Sequence, residues 1–294
     1  MKASALNRAD LLQTKGLYPA PPGVPGDIPG LEYAGEVVEV GARVTRWKLG
    51  ARVMGIVGGG AWAEELTVHH REVVPLPGTL GFAEGAAIPE AFMTAWDALV
   101  VQAGVSLGTG VLIHAVASGV GTAALQLCGV LGATVVGTGR NPDKLARVKT
   151  LGALQTVLVK GEPVAFAPQV QSAFEGRGAD VVLDLVGGAW LPETLSAMAP
   201  LGRLMLVGLV GGSSAEVPLG PILSKRLTVK GTVLRSRPVE EKIVGAQHLG
   251  RLVPLFEQGT LRPVIDSVVP MADAPAGLER LAANDSFGKL VLTW

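Results

Sequence analysis

From Val111 onward, apolar and β-branched residues recur in short runs at a nearly constant interval. The runs are Val111–Ala115, Thr134–Thr138, Thr156–Val159, Val181–Leu185, Leu204–Leu209 and Leu227–Val233, with centres roughly 22 to 25 residues apart. Most of the gaps carry helical signals. This alternation predicts a parallel, doubly wound α/β sheet, and six strands is the number of a dinucleotide-binding fold. The second helix is the best marked, with Asn141 at its N-cap, Pro142 at its first position, Asp143 in its first turn and Gly152 past its last.

The first ninety residues follow a different rhythm. Leu31–Val40, Ala51–Val57 and Ala63–Val68 read as short strands, divided by Gly41, Gly50 and the Gly58–Gly60 run, with Pro75 and Pro77 beyond them. Such spacing predicts turn-rich antiparallel β structure. The end of the chain reads as strand, helix and strand over Pro263–Pro270, Asp273–Asn284 and Lys289–Thr293. A parallel core between two β-rich segments suggests a nucleotide domain inserted into a second domain.

Charge sharpens the picture. Residues 98–139 contain no Asp, Glu, Lys or Arg. That length would allow a membrane span, which needs about 20 apolar residues. The run is nevertheless broken by glycines, His114, Gln102 and Gln126, and a strand–helix–strand unit buried on both sheet faces has the same hydropathy. Over the whole chain, 25 basic residues balance 25 acidic ones, which disfavours nucleic-acid or anionic-membrane binding. The single cysteine, Cys128, makes no internal disulfide and no thiolate metal site, so a cytoplasmic location is expected.

The segment V-L-I-H-A-V-A-S-G-V-G-T-A-A (111–124) passes from a strand into a helix through small residues. Backbone there can approach a pyrophosphate seated on the positive helix N-terminus. The G-x-G-x-x-G match is partial: Val116 and Ser118 hold the first two glycine positions, and Gly121 fits the third. The second strand carries no acid to bind ribose hydroxyls. Arg140 follows it instead, with Lys144 a helical turn on, which favours the 2′-phosphate of NADPH over NADH. A solvated loop charge and a solvated helix face are the plain alternatives for these two cations.

The runs N-R-A-D-L-L-Q and G-L-Y-P (within 7–23), G-L-E-Y-A-G-E-V (30–37), P-E-A-F-M-T-A-W (89–96), A-S-G-V-G-T-A-A (117–124), L-R-S-R (234–237) and F-G-K-L-V-L (287–292) span nearly the whole chain. Together they resemble the zinc-independent, zeta-crystallin-like quinone oxidoreductases of the medium-chain dehydrogenase/reductase superfamily. The resemblance implies a GroES-like β domain from residues 1–90 and 259–294, a Rossmann domain over 91–258, and an active site in a cleft between them. It also implies that the β domain lacks its opening strands, since relatives have further strands ahead of the N-R-A-D segment. Asn7 and Tyr18 would line the site, able to orient a quinone carbonyl or donate a proton. Thr94, Ser118, Gly119, Val120, Gly121, Leu209, Val233 and Leu234 would contact the cofactor. A helix cap explains Asn7 equally well, and loop packing is the plain alternative for Tyr18. Val159 stands where relatives often place a tyrosine against the adenosine phosphate, leaving that role to Arg140 and Lys144.

No catalytic metal is expected. Where zinc-dependent relatives carry G-H-E, this chain has Gly30-Leu31-Glu32, with no cysteine nearby. His69 and His70 would face opposite sides of a strand, and His114 and His248 read as structural. The expected activity is NADPH-dependent reduction of a small quinone or enone by a homodimer, without a nucleic-acid or membrane partner. Two other readings stand beside it: an enoyl-thioester reductase, and a nucleotide-binding protein without catalysis.

Overall fold

The computed structural model describes residues 1–161 and 164–294. Ahead of residue 95 lie strands β1 (Ala3–Ala5), β2 (Glu32–Glu36), β3 (Arg52–Ile56) and β4 (Val74–Pro75). Then come β5 (Gly110–Ile113), β6 (Thr134–Gly139), β7 (Gln155–Leu158), β8 (Ala179–Asp184), β9 (Met198–Leu206) and β10 (Thr228–Gly231). Two further strands, β11 (Ile265–Pro270) and β12 (Lys289–Thr293), follow residue 233. The chain divides into one compact unit of Met1–Thr94 with Leu234–Trp294 and a second of Ala95–Val233.

In the second unit the strands run β10-β9-β8-β5-β6-β7, all parallel. Counted from β5, this is the 3-2-1-4-5-6 order of the Rossmann fold, with the order reversing beside β5. All six runs predicted from hydrophobic spacing are strands here. Leu112, Val136, Val182 and Leu204, one from each of four adjacent strands, form a core with Phe166, Val170, Trp190 and Leu195. β5 is buried along its whole length, which is why its flanks carry no charge. The helix after β6 begins as its sequence requires, the Asn141 side chain accepting from Lys144 N–H at 3.0 Å.

The first unit is a sheet of order β11-β12-β1-β2-β3-β4. Its neighbours are antiparallel except for β11 and β12. β1 lies between the two ends of the unit: Ser4 is opposite both Leu292 of β12 and Tyr33 of β2. This is the GroES-like β domain built from both ends of the chain.

Three local expectations are corrected. Residues 63–68 form no strand, although Leu66 and Val68 pack on the cluster of Tyr33, Val53, Ala61 and Val73. Their alternation is that of extended chain lying on a core without a ladder partner. The partner of β3 is instead the two-residue β4, where Pro75 at the sheet edge loses no ladder bond. His69 and His70 are therefore not on a strand, and their rings stand side by side with centroids 4.9 Å apart. Finally, the Val239–Glu257 helix, expected in the dinucleotide domain, groups with the first unit, Phe256 meeting Phe92 edge-on at 4.8 Å.

His114 is fully buried beside Phe166 and Trp190. Thr194 Oγ donates to the Trp190 carbonyl, so it accepts from His114 Nε2–H at 2.9 Å. Nδ1 then accepts from Thr138 Oγ at 2.8 Å, which fixes one neutral tautomer. Burial lowers its pKa from 6.5 to about 4, partly offset by Asp184. Protonation thus favours the unfolded chain. The stability held by the neutral ring is complete above about pH 6.5 and is lost as pH falls toward about 4. Chemical denaturation near pH 7 and near pH 4 should show wild type losing about 3 kcal/mol more than His114→Gln between the two conditions. Equal losses in both proteins would refute this role for the ring.

Candidate functional site

At the centre of the first unit lies a buried polar cluster. Glu32, which opens β2, is fully buried, whereas Glu36 at the other end of the strand is exposed. Lys289 opens β12 and places Nζ 2.5 Å from Glu32 Oε1, 2.7 Å from Asn7 Oδ1 and 3.1 Å from the Leu6 carbonyl. Asn7 Nδ2 donates to Glu32 Oε1 at 2.9 Å and to the Ala5 carbonyl at 3.2 Å. The other oxygen of Glu32 accepts from Glu90 N–H at 2.8 Å. Every polar atom in this cluster has a partner, the condition under which a buried ion pair is tolerated.

Two further carboxyl groups border the pair. Asp10 accepts from Asn7 N–H at 2.7 Å and from Gly30 N–H at 2.9 Å. Burial nevertheless raises its pKa to about 6, against the pull of those two donors and of Lys289. Glu90, in the first turn of the Pro89–Trp96 helix, is pushed to about 7 by burial and by the neighbouring Glu32. Thr94, one turn on, is buried and donates to Glu90 Oε1 at 3.4 Å.

Tyr18, half-buried, follows the Arg8–Thr14 helix in a largely exposed loop. Arg235 stacks over its ring with Cζ 4.8 Å from the centroid. The same guanidinium donates to the carbonyls of Tyr18 (2.9 Å) and Gly58 (2.6 Å), and to Gln13 Oε1. Desolvation raises the phenol pKa, Arg235 lowers it, and Glu90 raises it. Asn7, Tyr18 and Thr94 therefore all belong to one unit: Asn7 is bonded to the Glu32–Lys289 pair, Thr94 to Glu90, and Tyr18 is held by Arg235.

In the second unit, the expected cofactor residues divide by position. Ser118 caps the Gly119–Val130 helix by accepting from Gly121 N–H at 3.1 Å. A Cβ on Gly121 would stand 2.6 Å from the Val116 carbonyl oxygen and 2.7 Å from that of Ala115, so only glycine lets this helix pack on its turn. The backbone N–H groups of Gly119 and Val120, in the first helical turn, lack intrahelical acceptors and suit an anionic phosphate. Arg140 is exposed at the end of β6, its guanidinium 5.6 Å over the Trp190 ring. Leu209 and Val233, both about half exposed, follow β9 and β10. Because these strands are parallel, residues 118–121, 140, 209 and 233 share the carboxyl edge of the sheet, where such folds bind dinucleotides. These residues fit the group. Thr94 and Leu234 lie in the first unit.

The sequence profile of the alcohol dehydrogenase GroES-like domain matches residues 1–78, and that of the zinc-binding dehydrogenases matches residues 119–246. A quinone oxidoreductase of Pseudomonas aeruginosa is 34% identical over 299 residues, covering 99% of this chain and 89% of that protein. The chain belongs to the quinone oxidoreductase family of the medium-chain dehydrogenase/reductase superfamily. A quinone oxidoreductase-like protein 2 homolog of Nematostella vectensis is 30% identical, covering 98% of this chain and 78% of its own length. Among solved structures, the quinone oxidoreductase of Pseudomonas syringae has a TM-score of 0.86 at 30% identity, covering 100% of this chain and 89% of that one. The CurK enoyl reductase has a TM-score of 0.84 at 27% identity, covering 99% and 89%.

Among the described residues, the side chains that could bind the zinc of a zinc-binding dehydrogenase are otherwise engaged. Both ring nitrogens of His114 are engaged by threonines, and Glu32 is held by Lys289. Cys128 is buried, its thiol pushed up to about 12. Among the described residues, no three His, Cys, Asp or Glu side chains are placed to hold a metal ion.

Sequence reasoning missed Asp10, Gln13, Glu90, Arg235 and Lys289 as site residues. The clearest available signal was Lys289, a lone cation at the mouth of an apolar strand. Its replacement tests the cluster directly. Lys289→Met leaves Glu32 buried without its counter-charge and should cost roughly 3–5 kcal/mol in urea unfolding. Adding Glu32→Gln should restore a large part of that loss; a double variant no more stable than the single would contradict the pairing.

Proposed function

We propose that this protein is an NADPH-dependent, zinc-independent oxidoreductase that reduces quinones or related conjugated carbonyls. The observation that carries this reading is a set of neighbouring buried charges in the first unit of a quinone oxidoreductase family member, with Asn7 on Lys289, Thr94 on Glu90 and Tyr18 under Arg235. In this reading the bound nicotinamide supplies the hydride. The protein's part is to orient the acceptor, exclude water and provide a proton. Tyr18 is the proton donor, since its phenol keeps its proton at neutral pH. Asn7 spends its side chain on Lys289, Glu32 and the Ala5 carbonyl, which favours a supporting part over direct contact with the acceptor.

Ser118, Gly119, Val120 and Gly121 are proposed to hold the pyrophosphate, and Leu209, Val233, Leu234 and Thr94 to border the rest of the cofactor. Preference for NADPH rests on Arg140 and Lys144 beside a β6 that carries no acid. The Arg140→Ala/Lys144→Ala variant should bind NADPH at least tenfold more weakly, with NADH affinity within about twofold. Oxidation of NADPH with a panel of quinones, enones and enoyl thioesters tests the activity itself. The likeness to an enoyl reductase favours enoyl thioesters as the second reading, and turnover confined to them would establish it. Tight NADPH binding without turnover of any acceptor would leave a nucleotide-binding protein without catalysis.

The proposal extends to a cytoplasmic homodimer. The single, buried cysteine is in keeping with a reducing compartment. No helix among the described residues is long and apolar enough to cross a membrane. β10 is the terminal strand of its sheet and is exposed throughout, flanked by Leu219 and Leu223 at 73% and 82% exposure. An unpaired edge next in sequence to exposed Leu219 and Leu223 invites a second copy. Leu223→Glu should convert dimer to monomer in analytical ultracentrifugation; an unaltered dimer would place the interface elsewhere.

A further inference from the structure

Arg235 is nearly fully buried although it lies in an irregular segment between β10 and the Val239–Glu257 helix. Its guanidinium has one distinct partner for each nitrogen. Nε donates to the Gly58 carbonyl at 2.6 Å, Nη1 to the Tyr18 carbonyl at 2.9 Å, and Nη2 to Gln13 Oε1. Gln13 in turn donates to the Gly26 carbonyl at 3.0 Å. One side chain thus fastens the helix end at residue 13, the Tyr18 loop, the Gly58 loop and, through Gln13, the Pro- and Gly-rich segment near residue 26. The flat face left over covers the Tyr18 ring, Cζ lying 4.8 Å from its centroid. Lysine could not copy this arrangement, since it has no planar fork and no face to stack.

A proline- and glycine-rich loop has no ladder or helix of its own to fix a side chain. Tyr18 has the backbone of such a loop on both sides, so its direction must be set from outside. Arg235 holds both the backbone and the ring of this one residue, a redundancy that packing alone does not require.

We propose that Arg235 is the positioning residue of the reductase site, holding the Tyr18 phenol in the single orientation from which it meets the acceptor. The proposal rests on the reading of Tyr18 as proton donor given above. The charged groups acting on the phenol are Arg235 and, from the Pro89–Trp96 helix, Glu90, which oppose each other.

The test exploits the tyrosine content. The chain has two tyrosines, and burial holds Tyr33 far above the ordinary range, so absorbance of tyrosinate at high pH reports Tyr18 alone. Tyr18→Phe should abolish the transition and confirms the assignment. Arg235→Met should move the midpoint upward by at least about half a pH unit, and Arg235→Lys by less, because a charge remains. With a quinone, both variants should lose roughly tenfold in kcat, with the KM for NADPH within about twofold. An unmoved midpoint in Arg235→Met, or an unchanged kcat in both folded variants, would overturn the proposal. Should Arg235→Met fail to fold, Arg235→Lys decides it: full kcat in that variant refutes a need for the stacked fork. If wild type reduces no acceptor, the functional reading fails by itself, and the titration still decides whether Arg235 governs Tyr18.

Discussion

A carboxylate and an ammonium buried against each other, Glu32 and Lys289, fix the architecture of the first unit. Removing two such charges from water costs several kcal/mol each, and only a complete set of partners offsets it. The set is drawn from far apart in the sequence: Asn7 and the Leu6 carbonyl before the first helix, Glu90 N–H at a helix start, and β12 near the chain's end. The pair therefore acts as an address. A shift of β12 by one residue against β1 would turn Lys289 to the other face and leave Glu32 alone in the core. Asn7, which could be read from sequence as a catalytic group, is first of all a member of this set.

The second unit solves the opposite problem. Its central strands β5 and β6 carry no ionisable side chain, so the middle of its sheet is buried at no cost in charge. His114, buried among its aromatic neighbours, is held neutral by two threonine hydroxyls. Asp184 is itself employed locally, accepting from the N–H groups of Val186 and Gly187 to shape the loop at the sheet's carboxyl edge. Electrostatics is thus kept at the edge of one unit and placed at the centre of the other.

Legibility in the sequence follows the same division. Where hydrophobic period governs, as in β5 to β10, the residues alone predict the elements, and a cap such as Asn141 even marks a helix start. In the first unit, period misleads. Residues 63–68 alternate without pairing, whereas Ala3–Ala5, too short to show any period, form a strand in the middle of the sheet. The candidate site is legible only in part for a related reason. Tyr18 and Thr94 stand in recognisable motifs, but Arg235 and Lys289 matter through partners more than two hundred residues away, and no local pattern encodes such a contact. The carboxyls of Asp10 and Glu90 look like ordinary first-turn acids until burial is known.

The pairing of β1 with β12 also orders events in time. A chain leaving the ribosome presents β1 to β4 early, with Glu32 already inside the incipient sheet and its counter-charge some 257 residues of separation away. Residues 95–233 can complete their own parallel sheet before β12 exists. The first unit cannot close until β12 has been made, so β1, made long before it, is among the last elements to become native. For that interval β1 has one neighbour instead of two, and an apolar edge destined for the middle of the sheet stays open to other chains. The contact that fixes the finished architecture is also what leaves the nascent protein most dependent on protection from aggregation.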